Sequence, residues 1–304
     1  MSVAARIFPP DPNELRTVAE IIALYLTHTK AQQHPRTYSD RARVLEAFSR
    51  DHGTLTVAEC RPWHLRVWVD SNPLWRSDWT RKRVIGSVKT CFSWVIKQGF
   101  LAPHQGNPFA QVSQRAGERG QPMKPEHFRL LLVSTSPVFR RVLIFLRFTG
   151  ARPGEMAAAK WPDVDWERSL VILRRHKTAT TRKDRRPRVI VLHPVAKKLL
   201  DYLRRHRRAE QDHIFVNARG RPWHRSSLAL RMLRLRRKCG VPMEAKLHGC
   251  RHAFASNAVV RGVDIKALSH LLGHSQVRTT EIYVHAENDI SYLQAALAKA
   301  MKPT

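Results

Sequence analysis

Between His248 and Tyr283 the chain reads HGCRHAFASNAVVRGVDIKALSHLLGHSQVRTTEIY, a stretch rich in side chains that bind or attack an anion. His248 and Arg251 stand three apart, and the apolar beat of Phe254, Val259 and Val260 marks a helix, so both project from one face. Two nitrogen donors side by side suit an anion. Gly262 and Gly273 read as helix stops, so short helices would return His274 and Tyr283 toward the same place. The order is three donors and then a hydroxyl. Upstream, Arg152 follows an apolar helix and lies beside Pro153, a residue that opens helices; its guanidinium is expected at an exposed helix N-terminus.

The blocks HGCRHAFAS and LLGHSQVRTTEIYVH resemble the C-terminal signature of the tyrosine recombinases, also called the phage integrase family. TGARPGE, Thr149 to Glu155, resembles that family's first-arginine motif, and HKT, His176 to Thr178, before a basic turn and RVIVL, resembles its catalytic-lysine hairpin. The likeness spans roughly the last 180 residues in order, with every expected polar position filled. It implies a site-specific recombinase that cuts and rejoins DNA through a 3′-phosphotyrosine, with Tyr283 as nucleophile. A free phenol has a pKa near ~10, so attack needs proton removal and cationic neighbours.

Charge added to a pentacoordinate phosphorus is stabilised by bidentate guanidiniums, and Arg152 and Arg251 are the candidates. By the same resemblance His248 assists proton transfer and His274 hydrogen-bonds the scissile phosphate. Lys177 is the expected general acid for the leaving 5′ oxygen, with Lys183 on the same hairpin as the alternative. Glu155, three residues after Arg152, falls where the family carries an acidic residue that supports the arginine site; charge stabilisation of a helix N-terminus is the plainer reading. Tyr292 is the rival hydroxyl and reads as packing on the last helix. Gly249 and Cys250 depart from the family, which more often has an acidic residue and a leucine there; Cys250 can serve as a small core hydrophobe.

The resemblance further implies four protomers on two double-stranded recombination sites passing through a Holliday junction. It requires no metal, ATP or other cofactor, and accessory DNA-bending factors are among the partners it allows. Two other readings stay open: a type IB topoisomerase-like enzyme with the same chemistry, and a non-catalytic DNA-binding protein on the same fold.

Charge supports a polyanionic partner independently. The 304 residues carry 54 Lys plus Arg against 24 Asp plus Glu, a net charge of +30 and a pI of about 11.3. Such a balance draws in nucleic acid with salt-sensitive affinity. Up to residue 120 there are 17 basic and 10 acidic residues, and beyond it 37 and 14, so both parts are expected to touch the polyanion. Cys60, Cys91, Cys239 and Cys250 lack C-x-x-C pairing and read as reduced thiols. There is neither a signal-peptide pattern nor an apolar run long enough for a membrane, so a cytoplasmic, nucleoid-associated protein is expected.

These residues must be held by helices and one small sheet. Residues 1–16, with Pro9, Pro10 and Pro12, read as a mobile arm. Helices are expected from Thr17, across 37–50, after the Thr56 and Glu59 capping signal, and across 77–98. The last of these carries Arg81, Lys82, Arg83 and Lys89 between apolar residues, a pattern that packs one face and leans the other on phosphates. Trp residues in this half read as core.

Residues 102–121 lose periodicity and read as a linker. In 122–304 an apolar helix with Val142, Leu143, Ile144, Phe145 and Leu146 fully buried is expected, then a strand, a basic tip with Arg182, Lys183, Arg185 and Arg186 as phosphate contacts, and the return strand RVIVL. Further helices are expected near 194–207, 225–238, 248–261, 264–272, 277–286 and 290–300. The expected fold is therefore mainly α. The resemblance makes it a small all-helical, SAM-like core-binding domain (17–101) followed by an α+β catalytic domain with a small antiparallel sheet.

Overall fold

The computed structural model of the chain describes residues 16–101, 106–115, 120–174, 187–274, 276–281 and 283. Lys177, Arg182, Lys183, Arg185, Arg186, Tyr292, the expected arm before Arg16 and the expected helix over 290–300 lie outside the described residues. The chain divides into two compact units, 1–119 and 120–304.

In the first unit, α1 (Val18–Gln32) opens with Thr17 and Glu20 capping each other: the Glu20 N–H donates to the Thr17 hydroxyl at 3.3 Å and the Thr17 N–H to the Glu20 carboxylate at 2.9 Å. Its buried residues Val18, Ile21, Ile22, Tyr25 and Leu26 keep helical spacing. They close on α2 (Pro35–His52), α3 (Pro62–Ser71) and α4 (Asp78–Lys97) around Leu45, Phe48, Leu65, Val88 and Phe92. The second capping signal closes a turn rather than starting a helix. Val57 N–H donates to Arg16 O and Val18 N–H to Leu55 O, which pins 55–57 against 16–18, and α3 begins only at Pro62.

Two expectations for this unit change. Residues 106–115 do not run free as part of a linker: Phe109 is fully buried, edge-on to Phe92 at 4.9 Å and to Phe48 at 5.7 Å. Trp68 is core, but Trp63 and Trp79 are 59% and 65% exposed, so the tryptophans do not share one role.

The second unit is built around α6 (Pro137–Thr149), which follows α5 (Pro125–Ser134) and packs against α10 (Leu247–Val260). Its helical period buries Val142, Leu143, Phe145 and Leu146 but turns Ile144 partly outward, so the apolar run is not buried throughout. A left-handed Gly150 ends α6; a Cβ there would lie 2.7 Å from the Phe254 ring. α7 (Pro153–Ala158) follows.

The sheet is antiparallel, in order β1 (Val164–Asp165), β2 (Leu170–Leu173), β3 (Arg188–Val191), with Val171 opposite Ile190. Strand alternation turns Arg188 inward with Ile190. The remaining described helices are α8 (Pro194–Arg205), α9 (Arg225–Cys239), α11 (Ile265–Leu272) and α12 (Arg278–Glu281). Among the described residues no helix is long and apolar enough to cross a membrane. Gly249 is explained by packing: a Cβ there would meet Gln121 O at 3.0 Å, where the Met123 N–H donates to Gly249 O at 2.9 Å.

Candidate active site

Arg152 is the residue on which α7 begins, with Pro153 in the first turn. Glu155 holds it there, one carboxylate oxygen accepting from Arg152 Nη1 at 2.7 Å and the other from the Arg152 N–H at 3.0 Å. The Arg152 side chain keeps 34% exposure, whereas Glu155 is buried. Burial alone would push the Glu155 carboxyl up; Arg188 and then Arg152 more than offset this and hold it below the usual carboxylate range.

Arg251 sits one helical turn into α10 and is 1% exposed. Its Nη1 donates to Gly150 O at 2.8 Å and its Nη2 to Leu272 O at 2.7 Å, so the guanidinium ties the ends of α6 and α11 together. Burial and the Arg152 charge pull its pKa down to about 9, which leaves it charged at neutral pH. Nη2 also lies 2.8 Å from His274 Nε2. Arginine can only donate, so Nε2 accepts, and the ring proton on Nδ1 goes to Thr280 Oγ1 at 2.8 Å. Burial first, then Arg251, Arg152 and Arg188, lowers the His274 pKa to about 3. Its ring is neutral, and both nitrogens are engaged within the protein. Contact with a phosphate requires His274 to exchange Arg251 for the anion and carry its proton on Nε2.

His248 keeps solvent access on α10, yet desolvation by the protein around it, then His252, Arg251 and Arg152, lowers its pKa to about 4, so its ring is also neutral. Tyr283 follows α12, its N–H bonded to Thr280 O at 3.0 Å. Its ring packs beside the small cluster of Ala255, Val259, Leu268 and Leu272 that joins α10 to α11. Burial raises its pKa; Arg251 and Arg152 act against this without cancelling it, so the resting phenol is protonated.

The fold thus brings Arg152, Glu155, His248, Arg251, His274 and Tyr283 together within one unit of one chain. Two further residues belong here that the motif reading did not single out. His252 lies between the others, its ring centroid 4.8 Å from His248 and 5.5 Å from Tyr283; the i, i+4 spacing from His248 was the available signal. Arg188, 3% exposed, donates from Nε to Glu155 Oε2 at 3.3 Å. Its signal was strand alternation within RVIV.

The helix read as DNA-binding divides. Lys82 and Arg83 on α4 face solvent. Arg81 instead donates to Trp75 O at 2.8 Å and pairs with Asp70 at 3.5 Å. Lys89 does not face outward as a phosphate contact would: its ammonium is used by Ala110 O and by Val112 O, the latter at 3.0 Å, and it fastens 106–115 to α4.

The profile of the phage integrase family matches residues 121–289. A tyrosine recombinase XerC 2 of Ralstonia nicotianae is 29% identical over 235 residues, covering 69% of this chain and 62% of that protein. A tyrosine recombinase XerA of Thermococcus kodakarensis is 33% identical over 186 residues, 58% of this chain and 61% of its own. The alignments therefore span about three fifths of those two relatives. Among solved structures, the Tn1549 transposon integrase in complex with circular intermediate DNA superposes with a TM-score of 0.74 at 18% identity, covering 93% of this chain and 99% of that one. A lambda integrase tetramer bound to a Holliday junction gives 0.72 at 15% identity, covering 89% and 78%. These likenesses establish the fold.

Proposed function

The chain belongs to the phage integrase family, and from that premise we propose that it is a site-specific tyrosine recombinase. Its substrate is double-stranded DNA carrying recombination sites. Four protomers act on two sites through a Holliday junction in the cytoplasm, on the nucleoid, with accessory DNA-bending factors as further partners. The observation that carries the reading is the placement of the Tyr283 phenol beside Arg251 and His252 of its own chain, under the charge of Arg152.

In this mechanism the Tyr283 oxygen attacks a DNA phosphorus while its proton passes to neutral His248. The charge gathering on the non-bridging oxygens is met by Arg152, which keeps solvent access, and by Arg251, held in place through Gly150 O and Leu272 O. His274 turns from Arg251 to the phosphate. The bond to the 5′ oxygen breaks, that oxygen takes a proton from Lys177, and the strand remains joined as a 3′-phosphotyrosine. A 5′ hydroxyl from the partner duplex reverses each step, so no external energy source is consumed.

The test is an adduct that survives denaturation, formed on 5′-end-labelled duplexes enriched from a random pool by binding to the full chain. Wild type is expected to retain the label on the protein. Tyr283→Phe is expected to bind the same duplexes and retain none; label held by that variant would overturn the assignment.

A further inference from the structure

Arg188 takes no part in the steps above, yet it touches two of the parts that carry them. From β3 its Nε donates to Glu155 Oε2, the oxygen that also accepts the Arg152 N–H, while Glu155 Oε1 binds Arg152 Nη1. One carboxylate is therefore shared by two guanidiniums, one buried and one with solvent access. On its other side Arg188 lies under the turn that ends α11. A Cβ on Gly273 would fall 2.6 Å from Arg188 Cδ and 2.9 Å from Cζ, and Gly273, with φ of +67°, immediately precedes His274. Only glycine fits a left-handed turn that close to another side chain.

Electrostatics gives this placement a consequence. Arg152 paired with Glu155 alone would form a neutral couple and present little charge to a phosphate. With Arg188 sharing the carboxylate, the three groups carry a net positive charge, and the interior cation satisfies Glu155 while Arg152 faces outward. A buried carboxylate left with one partner would also draw Arg152 inward.

We propose that Arg188 is a positioning residue for strand cleavage: it takes a share of Glu155 so that Arg152 can give its charge to the scissile phosphate, and its stem seats the Gly273 turn that presents His274. Being buried, it acts through these neighbours and not by touching DNA. The inference rests on the recombinase reading.

The experiment measures adduct formation and DNA affinity in parallel on the enriched duplexes, for wild type, Arg188→Met, Arg188→Lys, and Arg188→Met combined with Glu155→Gln. Arg188→Met should slow adduct formation by roughly tenfold to a hundredfold at nearly unchanged affinity. Adding Glu155→Gln removes the carboxylate that Arg188 had offset, and should restore most of the rate. A role confined to folding would give no such recovery, because two core polar groups would then be lost instead of one. If Arg188→Met does not accumulate as folded protein, Arg188→Lys decides the matter: it keeps both stem and charge, so a rate within about threefold of wild type supports the proposal. A loss beyond about tenfold at unchanged affinity overturns it. Wild-type rates for Arg188→Met, or no recovery in the double variant, also overturn it while leaving the recombinase reading intact. If wild type itself forms no adduct, that reading fails and this inference falls with it.

Discussion

Apart from Thr29, every buried residue described in the N-terminal unit is apolar or aromatic, while the C-terminal unit buries Glu155, Arg188, Arg236 and Arg251. The first unit obeys the ordinary rule that charge stays in water, and its basic residues stand on the surface or fasten loops. The second breaks that rule, mainly where the site is built. Isolated buried charges are costly, so each is matched: Arg251 to two carbonyls and a neutral imidazole, Arg188 to Glu155, and Arg236 to Ala245 O at 3.4 Å and to Met243 O. The contrast separates a unit with an apolar interior from one that keeps paired charges inside it, as preorganisation of the proposed site would require.

The sharpest way to break this contrast is to remove one large buried side chain from each unit. Phe48→Ala should cost about 3–5 kcal/mol, since a fully buried ring makes way for a cavity, yet protein that still folds should form adducts. Arg251→Met has a similar volume and an apolar end, but leaves Gly150 O, Leu272 O and His274 Nε2 without the donor they share, at about 3 kcal/mol. It should form no adduct at any temperature. Urea unfolding and adduct gels on both variants check the pair. If both lose adducts in proportion to lost stability, the second unit's interior is no more specialised than the first's.

How much of this was legible before folding follows the same division. The H-x-x-R spacing, the Gly262 and Gly273 stops and the Pro153 helix start are local signals, and the structure keeps each as read. Arg188 was hidden because it stands among Arg182, Arg185 and Arg186, where residue type carries no information; only its place two before Ile190 sets it apart. Phe109 was missed because a single aromatic in polar text has no period, and its partners Phe48 and Phe92 are remote in sequence. Lys89 reads as one more cation on a basic helix until the carbonyls of Ala110 and Val112 are brought to it. Tertiary contact decided each of these cases, and no local pattern encodes it.

A smaller effect concerns the histidines that the second unit keeps neutral. His248, His252 and His274 all have pKa values lowered in the folded chain, by burial first and by neighbouring positive or imidazole groups second. A lowered value means the unfolded chain binds protons that the folded one refuses. Their contribution to stability is thus complete above the unfolded value near ~6.5 and is lost as pH falls toward the folded values. Melting temperature should drop by a few degrees between pH 7 and pH 5, and the His274 Cε1–H resonance of the DNA-free protein should not titrate above pH 5. His274→Gln should flatten the melting curve's dependence on pH. A His274 resonance titrating near ~6.5 would show that the site does not exclude the imidazolium, and the contrast between the units would weaken.

The smallest effect lies in the first unit, and it separates two lysines that the sequence treats alike. Lys82 faces solvent, so Lys82→Ala should leave stability within about 0.5 kcal/mol of wild type. If it meets a phosphate, the slope of log affinity against log salt should become shallower by about one. Lys89 holds carbonyls of its own chain, and Lys89→Ala should leave that slope unchanged while amide exchange quickens across 106–115. A shallower slope for Lys89→Ala would mean that the ammonium leaves Ala110 and Val112 for DNA. The first unit would then also hold a charge in reserve for its ligand, as is proposed for Arg152 in the second, and the contrast between them would become one of degree.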